Sequence, residues 1–73
     1  MKTEEFMSKI DELEYNVQDG GCGSYEIHDA NADFVGEVSK EMNNVLRLHT
    51  DDYKLIELCS EYAKTPIEER KVK

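Results

Sequence analysis

The sequence has no tryptophan and only two phenylalanines among its 73 residues. A hydrophobic core must therefore be mostly aliphatic, with tyrosines at its rim. No run approaches the roughly 20 apolar residues of a transmembrane helix. The opening residues, MKTEEF, carry acids where a signal peptide needs basic residues, and no apolar segment follows. These absences predict a cytoplasmic protein, without a membrane span, whose two cysteines are reduced thiols.

Basic residues are also scarce, because 9 Lys and Arg face 17 Asp and Glu, for a net charge of −8. The phosphates of DNA and RNA repel such a chain, which disfavours direct nucleic-acid binding. Electrostatic steering would instead favour a basic protein as partner. Apolar residues make up 38% of the chain, enough for the small core of one domain over residues 1–73. We expect a monomer or a weak homodimer.

Helical periodicity marks the first part of the chain. Phe6, Ile10, Leu13 and Val17 follow one another at steps of four, three and four, and so share one apolar stripe. Thr3 is a candidate N-cap, followed by two glutamates in the first turn, where the helix dipole favours anions. The pattern predicts a helix from Thr3 to Val17, ended by the glycine-rich residues 20–23.

A second helix is indicated near the C-terminus. Thr50 or Asp51 can cap its start, and apolar residues then recur at helical spacing: Leu55, Ile56, Cys59, Tyr62 and Ala63. Thr65 should end this helix, because the residue before a proline avoids the α conformation. Residues 65–68 also match a capping box with proline at the first helical position. This match predicts one more helical turn, fraying from Arg70 to Lys73.

Between the helices, residues 25–29, 34–39 and 45–49 are typical of strands. Residues 29–33 supply a turn, and since Ala32 replaces the glycine of a tight turn, a looser turn or a bulge is expected. Residues 40–44 are predicted to form a second turn. The element order predicts a two-layer α+β fold: a helix, a three-stranded antiparallel meander, a second helix and a short C-terminal helical turn.

The two helices are expected to cover one face of this sheet. The core is then predicted to contain Tyr25, Ile27, Phe34, Val38, Leu46 and Leu48 from the strands, with Phe6, Ile10, Leu13, Leu55, Ile56, Cys59 and Tyr62 from the helices. The opposite face is expected to show Val35, Val45, Glu26, His28, Glu37, Arg47 and His49. Such a face either is simply solvated or serves as a docking surface for a partner or a second copy.

Few residues could act in catalysis or bind a metal ion. Cys59 lies on the apolar stripe of the second helix and is interpreted as a small buried hydrophobe. Cys22 has no basic neighbour, and Asp19 would raise rather than lower its pKa. The spacings from Cys22 through His28 and His49 to Cys59 are 6, 21 and 10 residues, unlike the close ligand pairs of structural zinc sites. We therefore predict no catalytic residue and no metal or cofactor site, and the protein is predicted not to be an enzyme.

Acidic side chains are concentrated near the N-terminus, at Glu4, Glu5, Asp11, Glu12, Glu14 and Asp19. A charge-rich helix usually presents a solvated face. The alternative interpretation is that these carboxylates imitate the phosphates of nucleic acid towards a basic protein.

Three blocks cover nearly the whole chain: residues 2–6 with the helix that follows, residues 31–33 leading into residues 38–40, and residues 61–70, EYAKTPIEER. They resemble a group of small proteins encoded by bacteriophages and prophages of Gram-positive bacteria such as streptococci, lactococci and Listeria. The last block is the most specific. Similar proteins often carry Asn-Gly-Asp where this chain has residues 31–33.

The resemblance implies a cytosolic accessory protein of phage or prophage origin and brings no site residues with it. Because no reactive constellation is evident either, we predict a non-enzymatic protein that acts by protein–protein interaction. The alternative is an acidic inhibitor that mimics nucleic acid against a host defence or DNA-processing enzyme, such as a CRISPR nuclease or a restriction enzyme. Affinity for a basic partner that falls steeply with salt would distinguish such a mimic.

Overall fold

The computed structural model describes residues 1–21 and 23–70. In chain order, the elements are α1 (Thr3–Glu12), β1 (Asn16–Asp19), β2 (Ser24–His28), β3 (Phe34–Ser39), β4 (Leu46–Leu48), α2 (Tyr53–Lys64) and α3 (Ile67–Arg70). The strands form one antiparallel sheet in the order β1-β2-β3-β4, and α1 and α2 pack together over one side of it. The predicted α+β fold is confirmed, with four strands in place of three.

The additional strand replaces the end of the predicted first helix. α1 ends at Glu12 instead of Val17, and Glu14 adopts a left-handed φ of 68°. Val17 lies in β1, where it pairs with Ile27. Val17 fits the helical stripe of the sequence, but as part of a strand its segment gains the backbone hydrogen bonds of a four-residue ladder with β2. Pairing with a distant segment therefore overrides the local helical pattern.

Two predicted side-chain caps are wrong. Thr3 lies inside α1 and its hydroxyl bonds to the Tyr62 hydroxyl, 2.6 Å away, while Lys2 occupies the cap position without a capping side chain. The Thr65 hydroxyl does not cap the next turn but donates to the carbonyl oxygen of Glu61 at 3.0 Å. Thr3 instead contacts the distant Tyr62, and Thr65 bonds to a residue four positions earlier in the chain. The local sequence pattern predicts neither contact.

The second helix follows its prediction closely. Its cap is Asp52 and not the predicted Thr50 or Asp51, and the Asp52 carboxylate accepts from the backbone N–H of Lys54 at 3.0 Å. The helix ends at Lys64, one residue before the extended pre-proline residue. The short helical turn predicted after the proline is α3.

The predicted hairpin of β2 and β3 is confirmed, and so is the expected irregular turn. The carboxylate of Asp29 accepts from the backbone N–H groups of Asn31 at 2.8 Å and Asp33 at 3.0 Å. Ala32 adopts a φ of 66°, which a residue with a side chain rarely takes. The side-chain bonds of Asp29 thus hold a turn that would otherwise favour glycine.

A β-bulge in this hairpin changes which of two neighbouring side chains faces the core. Ile27 pairs with Gly36, whereas the next residue, His28, pairs with Phe34, so Val35 is the extra residue. Phe34 therefore joins the face of His28 and is 43% exposed, while Val35 is 7% exposed and belongs to the core. Phe34 was predicted in the core and Val35 outside it, and both assignments are wrong because of the bulge.

The core lies between the sheet and the two long helices. Its buried members are Phe6, Ile10, Ile27, Val35, Val38, Leu55, Leu58, Cys59, Tyr62 and Ala63. The rings of Phe6 and Tyr62 stack with centroids 4.0 Å apart, which joins α1 to α2. Five residues predicted for the core are only partly buried: Leu13, Tyr25, Leu46, Leu48 and Ile56.

Candidate functional site

The side of the sheet away from the helices is open. Strand register and alternation place on this open face Asn16, Gln18, Ser24, Glu26, His28, Phe34, Glu37, Val45, Arg47 and His49. Both histidines lie where the sequence predicted them. Phe34 is the large aromatic that the sequence did not place here, and the weak turn at Ala32 was the only signal that the register could shift.

Phe34 stands between the two histidine rings. Its centroid lies 5.9 Å from that of His28 in an edge-on contact and 6.1 Å from that of His49 in a tilted one. Val45 on the same face is 44% exposed, and Met42, in the turn before β4, is 58% exposed. Three of the four large hydrophobic side chains exposed within residues 1–21 and 23–70 are therefore on or beside the open face.

Charged groups on the open face are paired with one another. Glu37 accepts hydrogen bonds from the Arg47 guanidinium and, at 3.0 Å, from the Ser24 hydroxyl. The bond from Arg47, followed by that from Ser24, holds the pKa of Glu37 below its ordinary value. The His28 Nε2 atom lies 3.3 Å from a Glu26 carboxylate oxygen. Two carboxylates and one guanidinium leave the open face near neutrality, in contrast to the −8 of the chain.

A groove of about 340 Å³ runs along this face and its edge, lined by Ser24, Glu37, Met42, Val45 and Arg47 among others. It combines apolar walls with hydrogen-bonding groups. A shallow apolar groove with a polar rim is the kind of surface that binds a protein segment.

The other conspicuous assembly is the C-terminal clasp, which we define as residues 61–70 with the turn of residues 39–44. Arg70 is 3% exposed and its guanidinium donates to the carbonyl oxygens of Thr65 at 2.9 Å, Ser39 at 2.8 Å and Ala63 at 2.9 Å. The guanidinium carbon lies 4.5 Å from the centre of the Tyr62 ring. The chain was expected to fray from Arg70 onwards, but these three hydrogen bonds hold the Arg70 side chain in place.

The turn of the clasp is tied to the helix ends by further bonds. The Asn43 amide donates to the Thr65 carbonyl oxygen at 3.1 Å and accepts from the Ile67 backbone N–H at 3.3 Å. The Asn44 backbone N–H donates to the carbonyl oxygen of Ala63 at 2.8 Å. The distinctive EYAKTPIEER block thus has a structural use, since it closes the end of α2 against the turn.

The one cysteine among the described residues is withdrawn from solvent. Cys59 is fully buried, and burial raises the pKa of its thiol to about 12. A thiol in that state is protonated at neutral pH and is not a nucleophile. Cys22 lies outside the described residues. No group of three or more His, Cys, Asp or Glu side chains within the described part is arranged to hold a metal ion.

The acidic array expected on the first helix is divided. Glu4, Glu5, Asp11 and Glu12 are exposed on α1, and Glu14 follows its end. Asp19 lies in β1 and accepts from the Lys40 ammonium at 2.7 Å, a bond that lowers the Asp19 pKa. Four carboxylates remain together on α1, fewer than the pattern suggested.

Compared with protein-family models, with curated proteins and with solved structures, the chain matches none. Over the described residues, the helices are too short and too polar to cross a membrane.

Proposed function

We propose that this chain is a non-enzymatic accessory protein of phage or prophage origin that acts in the bacterial cytoplasm by binding another protein through its open face. The three sequence blocks that resemble phage and prophage proteins support the origin. The binding role rests on one observation, namely that Phe34 is turned out of the core by a β-bulge and displayed between two histidines. Bulges re-aim side chains, and they are over-represented at functional positions.

The chemistry of the open face describes the partner. An exposed aromatic ring with neighbouring apolar side chains requires an apolar counterpart, because such anchors bind by leaving water. Glu41 lines the groove beside Met42 and Val45, and the whole chain is acidic. The partner surface is therefore mainly apolar, and the net charge of −8 would act chiefly on the rate at which a basic partner arrives.

A capture experiment with matched variants tests the proposal. Tagged wild-type protein, Phe34→Ala and Tyr53→Ala are incubated with lysate of the bacterial host. Tyr53 is an aromatic residue on α2 that is 80% exposed, so its loss changes aromatic exposure without touching the open face. A protein retained by the wild type and by Tyr53→Ala, but lost with Phe34→Ala, is the expected result. Equal retention by all three variants contradicts the proposal.

Salt dependence of the purified complex then identifies the mode of binding. Apolar docking at the open face should change affinity little between 50 and 300 mM salt, roughly the range over which surface charges become screened. A steep loss of affinity, together with loss on Glu4→Gln and Glu5→Gln substitution, would instead assign the nucleic-acid mimic. Self-association that Phe34→Ala abolishes would make a second copy the occupant in place of a heterologous partner.

A further inference from the structure

A small hollow of about 180 Å³ opens beside the clasp, away from the open face. Its walls are Thr3, Tyr25, Lys40, Tyr62, Ile67 and Arg70. Five of these six side chains end in hydrogen-bond donors, two of them cationic and three of them hydroxyl groups. Such a concentration of donors is unexpected in a chain with a net charge of −8.

Arg70 brings a buried positive charge to this hollow. Its three hydrogen bonds go to uncharged carbonyl oxygens, and a guanidinium has five N–H groups, so two remain. No carboxylate of residues 1–21 or 23–70 lies within ion-pair distance of it. Among the described residues, its charge is balanced by the carbonyl dipoles of Ala63 and Thr65 at the end of α2, by that of Ser39 and by the face of the Tyr62 ring.

Lys40 is the second cationic residue that lines the hollow. Its ammonium lies 5.2 Å from the centre of the Tyr25 ring and bonds to Asp19, a bond that raises the Lys40 pKa and keeps the group charged. The Asp19 side chain is 63% exposed, so this ion pair sits at the rim and leaves further N–H groups of the ammonium available. Burial raises the pKa of Tyr25, whose phenol therefore stays protonated and can donate.

We propose that this hollow binds a small phosphate group. Lys40 and Arg70 supply the positive charge, and the Tyr25 hydroxyl donates a hydrogen bond to a phosphate oxygen, while the Tyr62 hydroxyl stays bonded to Thr3. Guanidinium and ammonium groups that are partly withdrawn from water form the strongest hydrogen bonds with oxyanions. No residue of the hollow belongs to the open face, so this site stands independently of the proposed protein-binding surface.

Inorganic phosphate is the probe for this site. The protein, labelled with ¹⁵N, is titrated with sodium phosphate while sodium chloride holds the ionic strength constant. The resonances of the Lys40 backbone amide and the Arg70 Nε are expected to shift along saturable curves. A parallel titration with phenyl phosphate distinguishes free phosphate from a phosphomonoester, because a phosphomonoester site binds phenyl phosphate at least as tightly.

Two variants test the assignment and leave the hydrogen bonds of Arg70 and Asn43 in place. Lys40→Gln should weaken phosphate binding about tenfold, the loss expected for one charge-assisted hydrogen bond. Lys9→Gln is the matched control, since Lys9 is also a surface lysine in an ion pair, 3.5 Å from Glu5, and should bind like the wild type. Tyr25→Phe keeps the ring and removes only the hydroxyl, and serves as the second test if Lys40→Gln fails to fold. Linear shifts without saturation, or equal binding by Lys40→Gln, Tyr25→Phe and Lys9→Gln, would overturn the proposal.

Discussion

The clasp and the open face each contain one arginine at their centre, and the two arginines behave differently. Arg70 in the clasp is 3% exposed and bonds to three backbone carbonyl oxygens. Arg47 on the open face pairs with the Glu37 carboxylate, and 67% of its side chain is exposed to solvent. Because water screens the second pair and not the first set of bonds, Arg70 should matter much more than Arg47 to the stability of the fold.

The two regions therefore differ in their main role: the clasp stabilises the fold, and the open face is available to a partner. In the clasp, hydrogen bonds from the side chains of Arg70 and Asn43 join α2 to the turn before β4. On the open face, Phe34 and Val45 contribute little to the core and remain available to a partner. The most distinctive block of the sequence is therefore the structural one, whereas the surface suited to binding has no distinctive motif.

The largest expected effect comes from breaking the clasp. Arg70→Met keeps much of the buried volume but removes three hydrogen bonds from a charged donor, so it should lower the free energy of unfolding by about 3 kcal/mol. Arg47→Met is the matched substitution on the open face and should leave the urea midpoint unchanged. Urea unfolding followed by circular dichroism measures both. Equal losses in the two variants would show that the clasp is no more important to stability than the exposed pair.

A smaller difference is expected between two apolar residues of β3. Val38 is fully buried, so Val38→Ala should cost about 2 kcal/mol of unfolding free energy through lost contacts and a small cavity. Phe34→Ala removes a larger side chain but should cost only about 1 kcal/mol or less, because Phe34 is already 43% exposed. Urea denaturation of the two variants shows which substitution lowers the free energy of unfolding more. If Phe34→Ala were the more destabilising change, Phe34 would be a core residue and the assignment of the open face would be wrong.

The smallest effect concerns the titration of Glu37. Its pKa lies below the ordinary value mainly because Arg47 donates to the carboxylate, so Arg47→Gln should raise the Glu37 pKa towards that value. A carboxyl group whose pKa is lowered by folding stabilises the protein above its unfolded pKa, about 4.3 for Glu, and this contribution is lost as the pH falls through the folded value. Side-chain carboxyl chemical shifts measured by NMR between pH 2 and 7, roughly spanning this range, test it.

Asp19 is the internal control in the same titration. Its pKa is lowered by Lys40 and not by Arg47, so it should be the same in both proteins. An unchanged Glu37 pKa in Arg47→Gln would mean that the ion pair does not persist in solution, and the open face would then carry unpaired charges.

The parts of the fold that follow from the sequence are those with local causes. The α2 helix ends at Lys64 because proline restricts the residue before it, and this restriction is readable from two adjacent positions. The β2–β3 hairpin follows from alternating side chains around an Asp-Asn turn. Cys59 was assigned to the core from helical spacing alone, and it is fully buried.

The missed elements depend on partners that are distant in the chain. Tyr15 and Val17 alternate as in a strand, but Leu13 and Val17 equally fit a helix, and only pairing with β2 decides between the two. Thr3 matches a helix cap, yet its hydroxyl bonds to the hydroxyl of Tyr62 in the distant helix α2. Neither the strand pairing nor the side-chain contact can be predicted from the residues that are neighbours in the chain.

By itself, the sequence determined the α+β class, the hairpin, the bounds of α2 and the acidic surface, since helix stops, turns and charge depend on residues close together in the chain. The tertiary structure alone decided that Phe34 faces outwards and Val35 inwards, because one bulged residue changes the side that each side chain takes. It also decided that Arg70 is buried, because the three carbonyl oxygens it binds come together only when α2 packs against the turn before β4.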